Sequence, residues 1–110
     1  MYSFKKFITE TVENYDKITD PKRKEELINY HNDMSKDHAA KRAEHLKVKP
    51  GEKRSLEHSI AAEAHRDAGQ LHSFTASALE MNLEGPNDFK SRAMAMTKGA
   101  NSRSEIANKE

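Results

Sequence analysis

Six histidines constrain this chain more than any other feature. His31, His38 and His45 follow one another at intervals of seven, and so do His58, His65 and His72. On an α-helix seven residues make about two turns and rise about 10.5 Å, so each triplet draws one stripe along one helix face. The segments HNDMSKDHAAKRAEH and HSIAAEAHRDAGQLH read as a weak internal repeat offset by 27 residues. Helical wheels set the first stripe inside a Leu27/Ile28/Met34 face. They set the second on the flank of a Leu56/Ile60/Leu71 face. If the two helices form an antiparallel hairpin, the stripes face each other in pairs.

Three readings of the stripes follow. The plainest is a row of semi-buried, hydrogen-bonded spacers in an Ala-rich seam. A second is a pH-responsive seam that loosens when neighbouring imidazoles charge near pH 6. A third is a transition-metal site built from cross-helix pairs plus Glu44 or Glu63. Two histidines of one triplet lie too far apart to share a metal. Spacing alone does not bring together the three or four ligands a metal needs, and HEXXH is absent. No metal site or cofactor is therefore assigned.

The rest of the pattern is helical. Phe4, Phe7, Ile8, Val12, Tyr15 and Ile18 recur at three- and four-residue steps and predict an amphipathic helix over residues 1–18. Thr19-Asp20-Pro21 punctuates, with Asp20 as N-cap and Pro21 at the first helical position. A second helix is expected from about Pro21 to about Lys47, with Leu27, Ile28, Met34, Ala39 and Leu46 on its apolar face. Pro50-Gly51 marks a turn. A third helix follows from about Lys53 to about Asn82, lined by Leu56, Ile60, Ala64, Leu71, Phe74, Ala78 and Met81. Gly69 lies within it, at either a close helix crossing or a weak point. Gly85-Pro86 ends that helix, and Asn87 caps a short fourth one carrying Phe89, Ala93 and Met96. From Lys98, KGANSRSEIANKE has no periodicity and reads as a loose tail over residues 98–110. No segment alternates with period two. The expected architecture is all-α: a helical hairpin domain over residues 19–97, with short N- and C-terminal helices and a flexible tail.

Composition narrows the function classes. The chain has 110 residues, of which 35% are hydrophobic and 34% charged, with no Trp. So small and polar a chain buries little apolar surface, so a partner or self-association into a homo-oligomer is expected to complete it. It has no Cys, which excludes disulfides and thiolate metal sites. No apolar run approaches a membrane span, and the N-terminus lacks the apolar stretch of a secretory signal. The four Gly are isolated, so no phosphate-binding loop forms, and G-x-S-x-G is missing. No Ser or His is grouped with an orienting acid. The expectation is a protein without enzymatic activity.

Two stretches carry functional readings. Net charge is only +1, yet Lys41, Arg42, Lys47, Lys49, Lys53 and Arg54 crowd one region against Glu44 and Glu52. As a candidate nucleic-acid site this patch implies weak, salt-sensitive DNA contact through phosphates. With no interleaved aromatics to stack bases, duplex backbone suits it better than single strands. Otherwise it is a solvated loop with its adjoining helix ends. The other stretch is MYSFKKFITE. Its only cations are Lys5 and Lys6, and Glu10 and Glu13 follow, so it suits a protein groove better than a membrane surface. Tyr2, Phe4, Phe7 and Ile8 are the candidate docking residues.

This opening resembles the N-terminal capsid-targeting peptide of internal head proteins of T-even-type tailed phages. Those peptides begin with Met, a short polar or basic stretch and an aromatic, followed by an Ile-x-Glu triplet, here Ile8-Thr9-Glu10. Similar starts are found in other small head and tail components of large myophages. The resemblance covers about ten of the 110 residues. It implies that the peptide carries the protein into the assembling head and that a prohead protease cuts between Glu10 and Thr11. It implies a capsid, scaffold or other virion partner, and a location in the phage head, or in host cytoplasm during infection. Two alternatives stand beside it. One is a phage-encoded inhibitor that binds a host defence protein through the hairpin. The other is a small nucleic-acid-binding accessory using the Lys41–Arg54 patch.

Overall fold

A computed structural model describes residues 13–109. A single 3₁₀ turn, Tyr15–Lys17, precedes three helices: α1 (Pro21–Leu46), α2 (Ser55–Glu80) and α3 (Pro86–Ala107). No strand is found among the described residues. The body is a slender rod of 51 × 27 × 18 Å. The central helix α2 packs against α1 on one side and α3 on the other.

The helix ends follow local chemistry. Asp20 caps α1 by accepting the Lys22 N–H at 3.1 Å, and Pro21 follows at the first position, where a missing N–H costs nothing. Between α1 and α2, Gly51 takes φ +90°, and the Glu52 carboxylate accepts the Lys49 N–H at 2.8 Å. At the end of α2, Asn82 enters the left-handed region at φ +53°. The Leu83 N–H then donates to the Ala78 carbonyl at 2.9 Å, a Schellman closure. Gly85, also left-handed, leads directly into Pro86. Asn87 is thus inside α3 rather than its cap. Its side-chain carbonyl accepts the Tyr15 N–H at 3.0 Å instead.

The core is divided in two. At one end Tyr15, Leu27 and Leu79 form an apolar knot, with Ile18 and Ile28 packed against it. Along the rest of the rod the buried positions hold small residues and histidine. Ala61, Ala62, Ala68, Gly69 and Ala76 of α2 are buried, as are Ala93, Ala100 and Ala107 of α3. Short side chains let the helices approach closely. A Cβ on Gly69 would sit 3.4 Å from both the Ser35 carbonyl oxygen and His38 Cβ, which makes Gly69 a close crossing of α1 and α2. The buried positions on all three helices recur at seven-residue intervals, the repeat that keeps one seam in register along a left-handed supercoil.

Three expectations are corrected. The chain from Lys98 on is not a loose tail: α3 runs to Ala107, whose side chain is buried along with that of Ala100. Residues 15–18 do not continue an N-terminal α-helix; they form the 3₁₀ turn and the extended Ile18 that follows it. The inner face of α2 is only in part the expected one: Ala78 is buried and Ala64 and Leu71 are half-buried, but most of the large apolar residues on that face point outward. Leu56, Ile60, Phe74 and Met81 are exposed, at 68%, 41%, 51% and 61%. Leu46 and Ala39 of α1 also face outward. The alanines and histidines occupy the interior instead.

The buried end of α3 gives a direct check. Ala100→Leu is expected to overpack the α2–α3 contact and cost about 1–3 kcal/mol. Lys98→Ala, two residues away and exposed, should stay within about 0.5 kcal/mol of the parent. Urea unfolding of both variants measures the difference, and equal effects would refute the packing of α3.

Candidate functional site: a histidine seam

The two stripes meet face to face. His31 pairs with His72, His38 with His65 and His45 with His58, each through Nδ1 to Nδ1, at 2.8, 2.8 and 2.7 Å. Ring centroids within each pair are 5.0 Å apart. Successive pairs are also in register. His38 lies nearly parallel to His72 at 5.6 Å, and His45 to His65 at 5.7 Å. His31, His38, His65 and His72 are fully buried, and His45 nearly so.

The outer ring nitrogens are engaged by α3. Thr97 Oγ1 lies 3.1 Å from His38 Nε2 and 2.7 Å from His72 Nε2. Ser104 Oγ lies 2.8 Å from His45 Nε2 and 2.6 Å from His65 Nε2. At the knot end, the Tyr15 hydroxyl lies 2.8 Å from His31 Nε2. Lys90, buried on α3, sits over the Tyr15 ring at 4.8 Å and donates to the Glu13 carbonyl. Glu13 also holds Arg23 through both carboxylate oxygens, at 2.6 to 3.2 Å. At the opposite end, His45 and His58 line an open depression with Lys41, Glu44, Asn101 and Ser104.

These contacts join into one hydrogen-bonded chain: Tyr15, His31, His72, Thr97, His38, His65, Ser104, His45, His58. The proton count makes its links run in one common sense. A neutral imidazole carries one N–H, and each Nδ1–Nδ1 contact requires one donor and one acceptor. Each pair therefore contains one Nδ1–H tautomer and one Nε2–H tautomer. A hydroxyl between two ring nitrogens is fully used when it accepts from one and donates to the other. With the Tyr15 phenol donating to His31, every link points the same way, out to His58.

The environment favours the neutral form of five of the rings, His31, His38, His45, His65 and His72. Burial is the main cause, and it lowers His31 to about 3, and His65 and His72 to about 4. Neighbouring imidazoles push in the same direction, as does Lys90 on His31 and Lys41 on His65. His38 and His45 are lowered as well, again chiefly by burial; Asp37 opposes at His38 and Glu44 at His45.

The structure brings the six histidines together and does not surround them with further ligands. Among the described residues no group of three His, Cys, Asp or Glu converges on a point where a metal could sit. Glu63, weighed as a ligand, instead forms an ion pair with Arg66 at 3.4 Å. Glu44 is paired with Lys47 at 2.9 Å.

The other candidates fall elsewhere. Tyr2, Phe4, Phe7, Ile8, Glu10 and Thr11 lie outside the described residues. Of the basic residues, Lys47, Lys49, Lys53 and Arg54 belong to the α1–α2 connection, with Lys41 and Arg42 on the last turns of α1. Acids already offset part of this charge, through Lys41–Asp37 and Lys47–Glu44, both at 2.9 Å. Sequence reasoning missed Tyr15, Lys90, Thr97 and Ser104 as seam residues. The available signal was the seven-residue spacing of Lys90, Thr97 and Ser104, the same interval as the histidines.

No protein-family model, curated protein or solved structure matches the chain. No helix among the described residues is long and apolar enough to cross a membrane.

The tautomer order can be read directly. In ¹H–¹⁵N spectra at pH 7.5, His31, His38 and His45 should carry the proton on Nδ1, and His72, His65 and His58 on Nε2. Mixed tautomers within one triplet would refute the chain. Thr97→Val is expected to leave two buried ring nitrogens, His38 Nε2 and His72 Nε2, unpartnered, at a cost of about 1–3 kcal/mol for each in chemical unfolding.

Proposed function

We propose that this chain is a non-enzymatic virion protein of a T-even-type tailed phage. On this reading a small helical body is carried into, or built into, the head by its N-terminal residues. Tyr2, Phe4, Phe7 and Ile8 dock on a capsid, scaffold or other virion protein, and Glu10–Thr11 is the processing site. The observation that carries the reading is the opening string, MYSFKKFITE, with its aromatic residues and Ile-x-Glu triplet. The placement of the body's anchors is compatible with it. Glu13 binds Arg23 and Lys90, and Tyr15 binds His31 and Asn87. All of these lie on the C-terminal side of the Glu10–Thr11 bond, so a cut there removes none of them. The seam suits a structural part better than a catalytic one. Its Ser and Thr hydroxyls sit between imidazoles whose remaining nitrogens are already paired.

A second reading, a host-protein inhibitor that binds through the hairpin, is favoured by one observation. The outer side of α2 presents Leu56, Phe74 and Met81, each more than half exposed. Large apolar side chains on a polar chain suit a protein partner.

Intact mass and N-terminal peptide mapping separate the two. The expected result is a chain beginning at Thr11 in purified particles and at Met1 in infected-cell lysate. Deletion of residues 1–10 should abolish incorporation. Absence of the protein from particles would overturn the virion reading and leave the host-inhibitor reading in its place.

A further inference from the structure

The paired geometry limits how many protons the seam can hold. Each Nδ1–Nδ1 contact closes around one proton. Adding a proton to a pair places an N–H on both outer nitrogens, where the hydroxyls or solvent can accept it. Adding a second opposes two Nδ1–H groups across 2.7–2.8 Å, which no rotation of a neighbour relieves. The closed seam therefore accepts at most one proton per pair, three in all. The unfolded chain accepts six, one on each imidazole.

We propose that the histidine seam is an acid-opened latch: its three imidazole pairs hold α1 against α2 while neutral, and proton loading beyond one per pair forces the two helices apart.

The carboxylates facing the seam, Asp37 at His38 and His65 and Glu44 at His45, favour a charged ring less than burial disfavours it. From α1 come Asp37, Lys41 and Glu44; Asp37 is 2.9 Å from Lys41, and Glu44 is 2.9 Å from Lys47. From α3 come the Lys90 cation and the neutral Thr97 and Ser104. The N-terminal turn contributes the Tyr15 phenol, while Glu13 and Asp16 act on Lys90. On α2 the buried residues Ala61, Ala68 and Thr75 do not ionise, and the charged Arg66, with Arg42 of α1, lines a surface depression beside His65. Among the described residues no carboxylate is hydrogen-bonded to any of the six rings, so an imidazolium formed inside has no bonded counter-ion among them.

The direction of the pH effect follows. Rings whose affinity for protons is lowered on folding bind more protons when unfolded, so stability rises with pH. Stability is complete above the ordinary histidine range near 6.5 and is lost as pH falls toward about 4. Carboxylates titrate mainly below this, near 4.

The test is equilibrium urea unfolding of the full chain across pH 7.5 to 5. Between pH 6 and 5 the unfolding constant should rise by at least about 100-fold, the uptake of two or more protons. Replacing one pair, His38→Gln with His65→Gln, should reduce that uptake by about one proton or more. A rise below tenfold, or a slope unchanged by losing the pair, overturns the proposal. Should the double variant fail to fold, the wild-type chain decides by itself. ¹⁵N-histidine spectra count imidazolium rings in the folded form, and a folded chain carrying more than three overturns the latch.

Discussion

The structure depends on a hydrogen bond between two identical groups. An imidazole can pair with an imidazole through Nδ1 only when one donates and the other accepts, which neutral rings do and doubly charged rings cannot. Three such pairs lie in a row between α1 and α2. They explain why the neighbours are so small. A pair of rings fills the space between two helices, so the flanking positions must be nearly empty, and Ala61, Ala68 and Gly69 leave them so. They also explain α3, which places Thr97 and Ser104 one heptad apart, each where it spans two outer nitrogens. Buried polar groups are costly when unpaired, and here the network is connected from Tyr15 to His58.

The division into an apolar knot and a polar seam gives the rod two kinds of stability. Tyr15, Leu27 and Leu79 bury hydrocarbon at one end, an attraction that pH hardly alters. The seam contributes directional bonds that hold only while the rings stay neutral. The Tyr15 hydroxyl belongs to both, packing in the knot and opening the hydrogen-bonded chain. Lys90, buried above it and lowered mainly by that burial, adds a fixed positive charge at the end of the seam where His31 is most shielded from protons.

Much of the fold was legible because its signals are local. Asp20-Pro21, Pro50-Gly51 and Gly85-Pro86 act within a few residues and place the helix ends to within about two positions. The facing of the two stripes was also legible, since a seven-residue interval repeated on two antiparallel helices matches itself. The length of α3 was not. Its inward positions are Ala93, Thr97, Ala100, Ser104 and Ala107, small or polar residues that a search for apolar periodicity passes over. The inner face of α2 was misjudged for a related reason. Leu56, Ile60 and Phe74 are large and apolar but face outward, because along most of its length the inner side of α2 meets its neighbours through alanine, glycine and histidine, and Leu79 is buried only at the apolar knot.

The sequence by itself determined that this chain is helical, where α1 and α2 begin and end, and that its histidines form two stripes, because capping chemistry and helical period act over a few residues. Only the tertiary structure decided that the stripes are the interior, that Thr97 and Ser104 link the pairs and that Tyr15 begins the chain. Those choices depend on which faces fit together at close range. Alanine, threonine and histidine signal burial weakly until a second helix lies against them.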